Sequence, residues 1–180
     1  LMVGCDSSKD AEVSAATGTG GSMARFAITG NTLYIVTKES LEVYNIANPS
    51  DPHKEVTKNL GMGIETIFPY NNYLFIGAND GMHIFDNTKP NDPFQVSAFY
   101  HIQSCDPVVV QGNYAYVTLR GGRECRPGNI RSSLDVVDIS NPKVPQMITT
   151  QTIDSPYGLG VWDKTLFVCT GDAGLKVMDI

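Results

Sequence analysis

Short apolar runs, each broken by Asn, Asp, Gly or Pro, recur along this chain from residue 33 to its last residue. Leu33-Tyr34-Ile35-Val36, Tyr73-Leu74-Phe75-Ile76, Tyr114-Ala115-Tyr116-Val117 and Leu166-Phe167-Val168-Cys169 are almost continuously apolar. A half-exposed strand alternates apolar and polar residues, so an unbroken run predicts a strand covered on both faces. The abundance of Val, Ile, Tyr and Phe favours strands as well. The prolines and Asn/Asp/Gly clusters cut the chain too often for helices of ordinary length. Each run leads to a second apolar segment, at 41–46, 82–86, 134–139 and 175–180. The first three of these are followed by proline-rich turns: Asn48-Pro49 with Asp51-Pro52, Lys89-Pro90 with Asp92-Pro93, and Asn141-Pro142 with Pro145.

The pattern repeats. Asn31 and Asn72 are 41 positions apart, as are Pro49 and Pro90; Pro90 and Pro142 are 52 apart because the third unit carries an insertion between Leu119 and Ser133. A strand-built unit of about 40–45 residues fits one four-stranded blade of a β-propeller. The expected fold is therefore all-β, an incomplete propeller arc of three full antiparallel blades and part of a fourth. Inner strands are expected at 66–69 and 107–110, with the apolar runs second, the 134–139-like segments third, and fourth strands at 95–100 and 146–151. Proline fixes φ and cannot join a ladder, which separates the third strand from the fourth. Propellers close with about four to eight blades. Residues 175–180 are expected to form a bare apolar edge of a chain that continues. The alternative is a closed four-bladed ring in which residues 11–28 supply the missing strand.

Leu134-Asp135-Val136-Val137-Asp138-Ile139-Ser140-Asn141-Pro142 resembles the core motif of LVIVD-repeat proteins, β-propeller proteins common among bacterial surface lipoproteins. The likeness covers residues 24–180, and the first two units depart from it, with Tyr44-Asn45 and Phe85-Asp86-Asn87-Thr88 in place of Val-Asp-Ile-Ser. The resemblance implies the fold and an exported protein, and brings no catalytic motif with it. Leu1-Met2-Val3-Gly4-Cys5 is similar to the tail of a bacterial lipoprotein signal, with Met2 where Leu is commonest. Residues 6–22, rich in Ser, Thr, Ala and Gly, read as a flexible polar tether, and the folded region is 23–180. These features imply a lipid on Cys5 and a surface-exposed position on the bacterial outer membrane. Asp6-Ser7-Ser8-Lys9-Asp10 resembles the acidic export signal of Bacteroidetes surface lipoproteins. An Asp directly after the lipidated Cys resembles, in enteric bacteria, a retention signal for the inner membrane, so a periplasm-facing position stays open.

The net charge is −6, with no basic stripe, which argues against nucleic acid as a partner. No run has the length of a transmembrane helix, so membrane contact is expected only through the lipid. Cys169 is expected to be a buried small hydrophobe. Cys105 and Cys125 fall in two loops at one end of the same blade, and an exported protein can join them as a disulfide. His53, His83 and His101 are dispersed, and no cofactor or metal site is expected. The Gly/Asp loops at 77–81 and 171–174 recur at equivalent places in the repeat and read as turns.

In a propeller, the loops entering the inner strands and those joining second to third strands share one end, which frames a central funnel. That end gathers Glu65, then Asp106, then Tyr157, with Arg120, Arg123, Arg126 and Arg131 from the insertion. Long loops on a short-loop scaffold tend to carry function; the insertion's other reading is a cover for its own blade. The expected function is a binding or scaffold module for a protein, peptide or glycan, with arginines as bidentate donors to acidic groups. The alternative is a propeller-fold hydrolase, for example glycoside-active, using Glu65 and Asp106 as its carboxylate pair.

Overall fold

In the computed structural model, residues 24–61, 63–101, 107–121 and 131–180 are described. They form four antiparallel sheets laid along the chain in order. The first is β1 (Phe26–Thr29), β2 (Thr32–Val36), β3 (Ser40–Asn45) and β4 (His53–Asn59); the second is β5 (Ile64–Tyr70), β6 (Tyr73–Ala78), β7 (Gly81–Asp86) and β8 (Phe94–Tyr100). The third is β9 (Val108–Gln111), β10 (Tyr114–Leu119), β11 (Ser133–Asp138) and β12 (Gln146–Thr152). The fourth has three strands, β13 (Gly158–Trp162), β14 (Thr165–Cys169) and β15 (Leu175–Asp179), with a 3₁₀ turn at Gly171–Ala173 where the sequence reads as a plain turn. Strand order equals chain order in every sheet, as in a propeller blade. The strands β1, β5, β9 and β13 lie side by side on the inner side of the arc.

The repeat spacing has a hydrogen-bonded cause. At the end of each third strand, Asn45, Asp86 or Asp138 accepts a bond on its Oδ1 from the backbone N–H two residues on, at 2.9, 2.8 and 2.7 Å. The proline turn then closes with Asp51 N–H on Asn48 O, Asp92 N–H on Lys89 O and Val144 N–H on Asn141 O, leaving Pro49, Pro90 and Pro142 at the second turn position, where a fixed φ is wanted. The carboxyls of Asp86 and Asp138 are held below the usual aspartate range. For Asp86 the main cause is the Thr88 hydroxyl, and for Asp138 the Ser140 backbone N–H.

Sheets pack face to face. Tyr34, Phe75 and Tyr116 occupy the same register position in three successive sheets, and all are buried against the next sheet. The Tyr34 hydroxyl donates to Asn87 Oδ1 at 2.8 Å across the first of these junctions. Tyr70 and Gln111, at equivalent ends of β5 and β9, each reach the first hairpin of the following sheet: Gly112 N–H donates to Tyr70 Oη at 2.9 Å, and Gln111 Nε2 donates to Asp163 O at 3.2 Å. The arc is open. Among the described residues nothing packs on the outer faces of the first and last sheets, and Phe26, Ile28, Trp162, Leu175 and Val177 are exposed. Phe26–Thr29 pairs with β2; most of the 11–28 segment that a closed four-bladed ring would use, residues 11–23, lies outside the described residues. Cys169 is exposed. It pairs with Gly158 and Leu175 on the bare face of the last sheet, which is why an apolar run failed to bury it.

Candidate functional site

Four sheets contribute to one recess on the inner side of the arc, with a volume of about 100 Å³. Its walls are Arg25 just before β1, Glu65 and Thr66 of β5, Pro107 before β9 with Arg120 after β10, and Pro156 with Tyr157 before β13. The aiming of Glu65 has a local cause. Ile64 pairs with Ala78 and Thr66 with Gly77, so Glu65 is the extra residue of a β-bulge. A bulge turns a side chain out of the regular alternation and often lies beside a functional surface.

Tyr157 is fixed from three directions. Its N–H donates to Cys169 O at 2.8 Å. Beneath its ring, Gly171 has a φ of +54°, and a Cβ there would come within 2.9 Å of Tyr157 Cε2. Above it, the Arg120 guanidinium carbon stands 4.2 Å from the ring centroid, within cation–π range. Arg120 thereby bridges the third and fourth sheets and forms part of the recess wall. Gly121, the next residue, donates its N–H to Ser132 Oγ at 3.0 Å, which ties the start of the insertion to its end. A second recess of about 260 Å³ opens between the first two sheets and shares Arg25 and Glu65, adding Lys38, Glu39 and Asn79.

Of the residues expected at this end, Glu65, Arg120 and Tyr157 come together. Arg131 precedes β11 and is not part of the recess wall. Asp106, Arg123 and Arg126, the Cys105 and Cys125 pair, and Cys5 with the tether lie outside the described residues. Arg25 was missed by sequence reasoning, although the repeat register marks it: it stands four positions before the end of β1, as Thr66 stands before the end of β5 and Pro107 before the end of β9. His83 is structural. Its Nε2 is 3.0 Å from Asp80 Oδ1 and its Nδ1 3.0 Å from Gln95 Nε2, so it ties the 77–81 turn to β8.

The LVIVD repeat matches residues 20–56, 104–123 and 129–152. The second unit, with Phe85-Asp86-Asn87-Thr88 in place of the motif, lies outside the match yet folds as the same sheet. No curated protein matches the chain. Among solved structures it is similar to the computationally designed Ika4 protein, at 15% identity and a TM-score of 0.64, covering 86% of this chain and 89% of that one. It is similar to the computationally designed Ika8 protein at 14% identity and the same TM-score, covering 86% of this chain and 45% of that one. The N-terminal domain of Nup159 matches at 10% identity and a TM-score of 0.57, over 88% of this chain and 41% of that domain. Identities this low speak to fold alone. The chain carries LVIVD repeats on a partial β-propeller-like fold.

Proposed function

We propose that this chain is a non-catalytic binding module whose inner recess takes a carboxylate-bearing ligand, an acidic peptide or glycan. The observation that carries the reading is the convergence of four sequence-distant segments, at 25, 65–66, 107–120 and 156–157, on one recess with two arginines and an aromatic face. The chain is acidic overall, and this recess has two arginines, Arg25 and Arg120, in its wall. Arginine offers a planar, bidentate match to a carboxylate. Tyr157 and the flanking Pro107 and Pro156 supply apolar contact for the body of such a ligand, as expected of a small-molecule site. Glu65 accepts from hydroxyl or amide groups on the same ligand.

The same reading makes the protein an exported one, tethered through a lipid on Cys5, at the bacterial outer membrane and facing outward. What supports this is the Val3-Gly4-Cys5 segment and the polar tether after it. Labelling with a radioactive fatty acid in the native host should mark the wild type and not Cys5→Ser.

Binding is tested by calorimetric titration with glucuronate and N-acetylglutamate as probes. At least one should bind, and Arg120→Glu should weaken it tenfold or more, about 1.4 kcal/mol, with the far-ultraviolet circular dichroism unchanged. Binding unaffected by Arg120→Glu contradicts the placement. If Glu65→Gln abolishes hydrolysis of an oligosaccharide while binding persists, the chain is a glycosidase instead.

A further inference from the structure

The recess between the first two sheets has a wall built by backbone hydrogen bonds. The turn that carries Lys38 and Glu39 closes with Thr37 N–H on Ser40 O at 2.8 Å. Inside it, Thr37 Oγ1 accepts the N–H groups of Glu39 and Ser40 at 3.2 and 3.0 Å. Lys38 O accepts from Gly63 N–H at 2.9 Å and from Ile64 N–H at 3.2 Å, and Gly63 O accepts from Asn79 N–H at 2.9 Å. Gly63 therefore joins the turn of the first sheet to the turn of the second. Its φ is +85°, and a Cβ there would lie 2.2 Å from Asn79 Cγ, so glycine leaves the space that the Asn79 carboxamide fills. The main chain at Arg25 is pinned between the same two sheets: Val36 N–H donates to Arg25 O at 2.8 Å, and Ile67 N–H donates to Ala24 O at 2.9 Å.

We infer that this recess is a second subsite of the binding site proposed above, and that the ligand is a glycan of at least two sugars with an acidic sugar at one end. The inference rests on that reading, in which the first recess takes the carboxylate. Arg25 and Glu65 stand in the walls of both recesses, so adjoining units of one ligand would meet the same two side chains. Size points the same way. Small-molecule sites span about 300–1,000 Å³. The two recesses measure about 100 and 260 Å³, so only together do they reach that range. The choice of glycan over peptide comes from the backbone. An extended peptide added to a sheet is held by main-chain hydrogen bonds. In this wall Arg25 O, Lys38 O, and the N–H and O groups of Glu39 and Gly63 already take a bond within the protein. Recognition falls to side chains: Lys38 donates, Glu39 and Glu65 accept, and the Asn79 carboxamide does both. Sugar hydroxyls, which donate and accept, match that set.

Calorimetric titration of the full chain with glucuronate, the disaccharide glucuronosyl-glucose, N-acetylglutamate and the dipeptide N-acetylglutamyl-serine tests this. The disaccharide should bind about tenfold more tightly than glucuronate, and the dipeptide no more tightly than N-acetylglutamate. Asn79→Ala and Lys38→Ala should each lower the disaccharide-to-glucuronate affinity ratio by at least about threefold, with the far-ultraviolet circular dichroism of the wild type. Arg120→Glu should weaken both sugars alike. A disaccharide no tighter than glucuronate, or a ratio that neither variant lowers, overturns the second subsite while the first recess keeps its ligand. A gain shown by the dipeptide in place of the disaccharide overturns the choice of glycan. If none of the four probes binds, the carboxylate reading fails and this inference falls with it.

Discussion

Phe75 and Phe167 occupy the same register position in the second and fourth sheets, and the arc makes opposite demands on them. Phe75 is 1% exposed and packs into the cluster that includes Val108, Val109 and Val117 of the third sheet. Phe167 lies on the open face and is only half-buried, with no sheet beyond it among the described residues. Replacing Phe75 by alanine removes a ring from a closed junction and leaves a cavity, which costs about 3–5 kcal/mol. Replacing Phe167 removes partial contact from an open face with no enclosed cavity, and should cost about 1–2 kcal/mol. The assay is urea denaturation of both variants at one protein concentration. With a slope of about 1–3 kcal/mol per molar urea, the Phe75→Ala midpoint should fall by more than about 1 M and the Phe167→Ala midpoint by clearly less. Equal losses would refute the open arc, because they would require an equally dense layer over both rings.

Tyr34→Phe should cost about 1–3 kcal/mol, since it strips the buried Asn87 Oδ1 of its hydroxyl donor; thermal unfolding checks it. Gly81→Ala should cost at least about 2 kcal/mol, because its φ is +151° and a Cβ would come within 2.2 Å of Phe99 O; urea denaturation would show it. Asp86, Asp92 and Asp138 all have carboxyl pKa values lowered by folding, chiefly through the Thr88 hydroxyl, the Lys58 ammonium and the Ser140 N–H respectively. Their contribution is fully present above the unfolded aspartate pKa, about 3.9, and is lost as pH falls through the lower folded values. The urea midpoint should therefore hold from pH 7 to 5 and drop below about pH 4, and an Asp86→Asn and Asp138→Asn double variant should show a shallower drop. Cys169 should react with a water-soluble disulfide reagent in the native protein, at a rate near that of an unfolded control, since it is exposed.

Much of the fold is legible in the sequence because its causes are local. The proline turns, the Asn/Asp caps at 45, 86 and 138, and the apolar runs each act within a few residues, and their spacing carries the repeat. The strands found at Ile64–Tyr70 and Phe94–Tyr100 differ from expectation only at their ends, where pairing with a neighbour decides the last residue. Cys169 misled because strand periodicity tells which face a residue occupies, not whether another sheet covers that face. The site was legible by parts. Glu65, Arg120 and Tyr157 follow from knowing which loops share one end of a blade. Arg25 needed the register carried back into a first unit whose inner strand, Phe26-Ala27-Ile28-Thr29, is short and weakly marked. The bulge that aims Glu65 depends on the pairing of β5 with β6, and the sequence contains no separate sign of it.

The claim that the inner recess is the binding surface is tested most directly by a ¹⁵N–¹H correlation titration of the assigned chain with glucuronate and N-acetylglutamate. Amide shifts from at least one probe should saturate and map to Arg25, Glu65, Thr66, Arg120 and Tyr157, on all four sheets together. No saturable shifts with either probe, or shifts confined to the outer strands β4, β8 and β12, would contradict it.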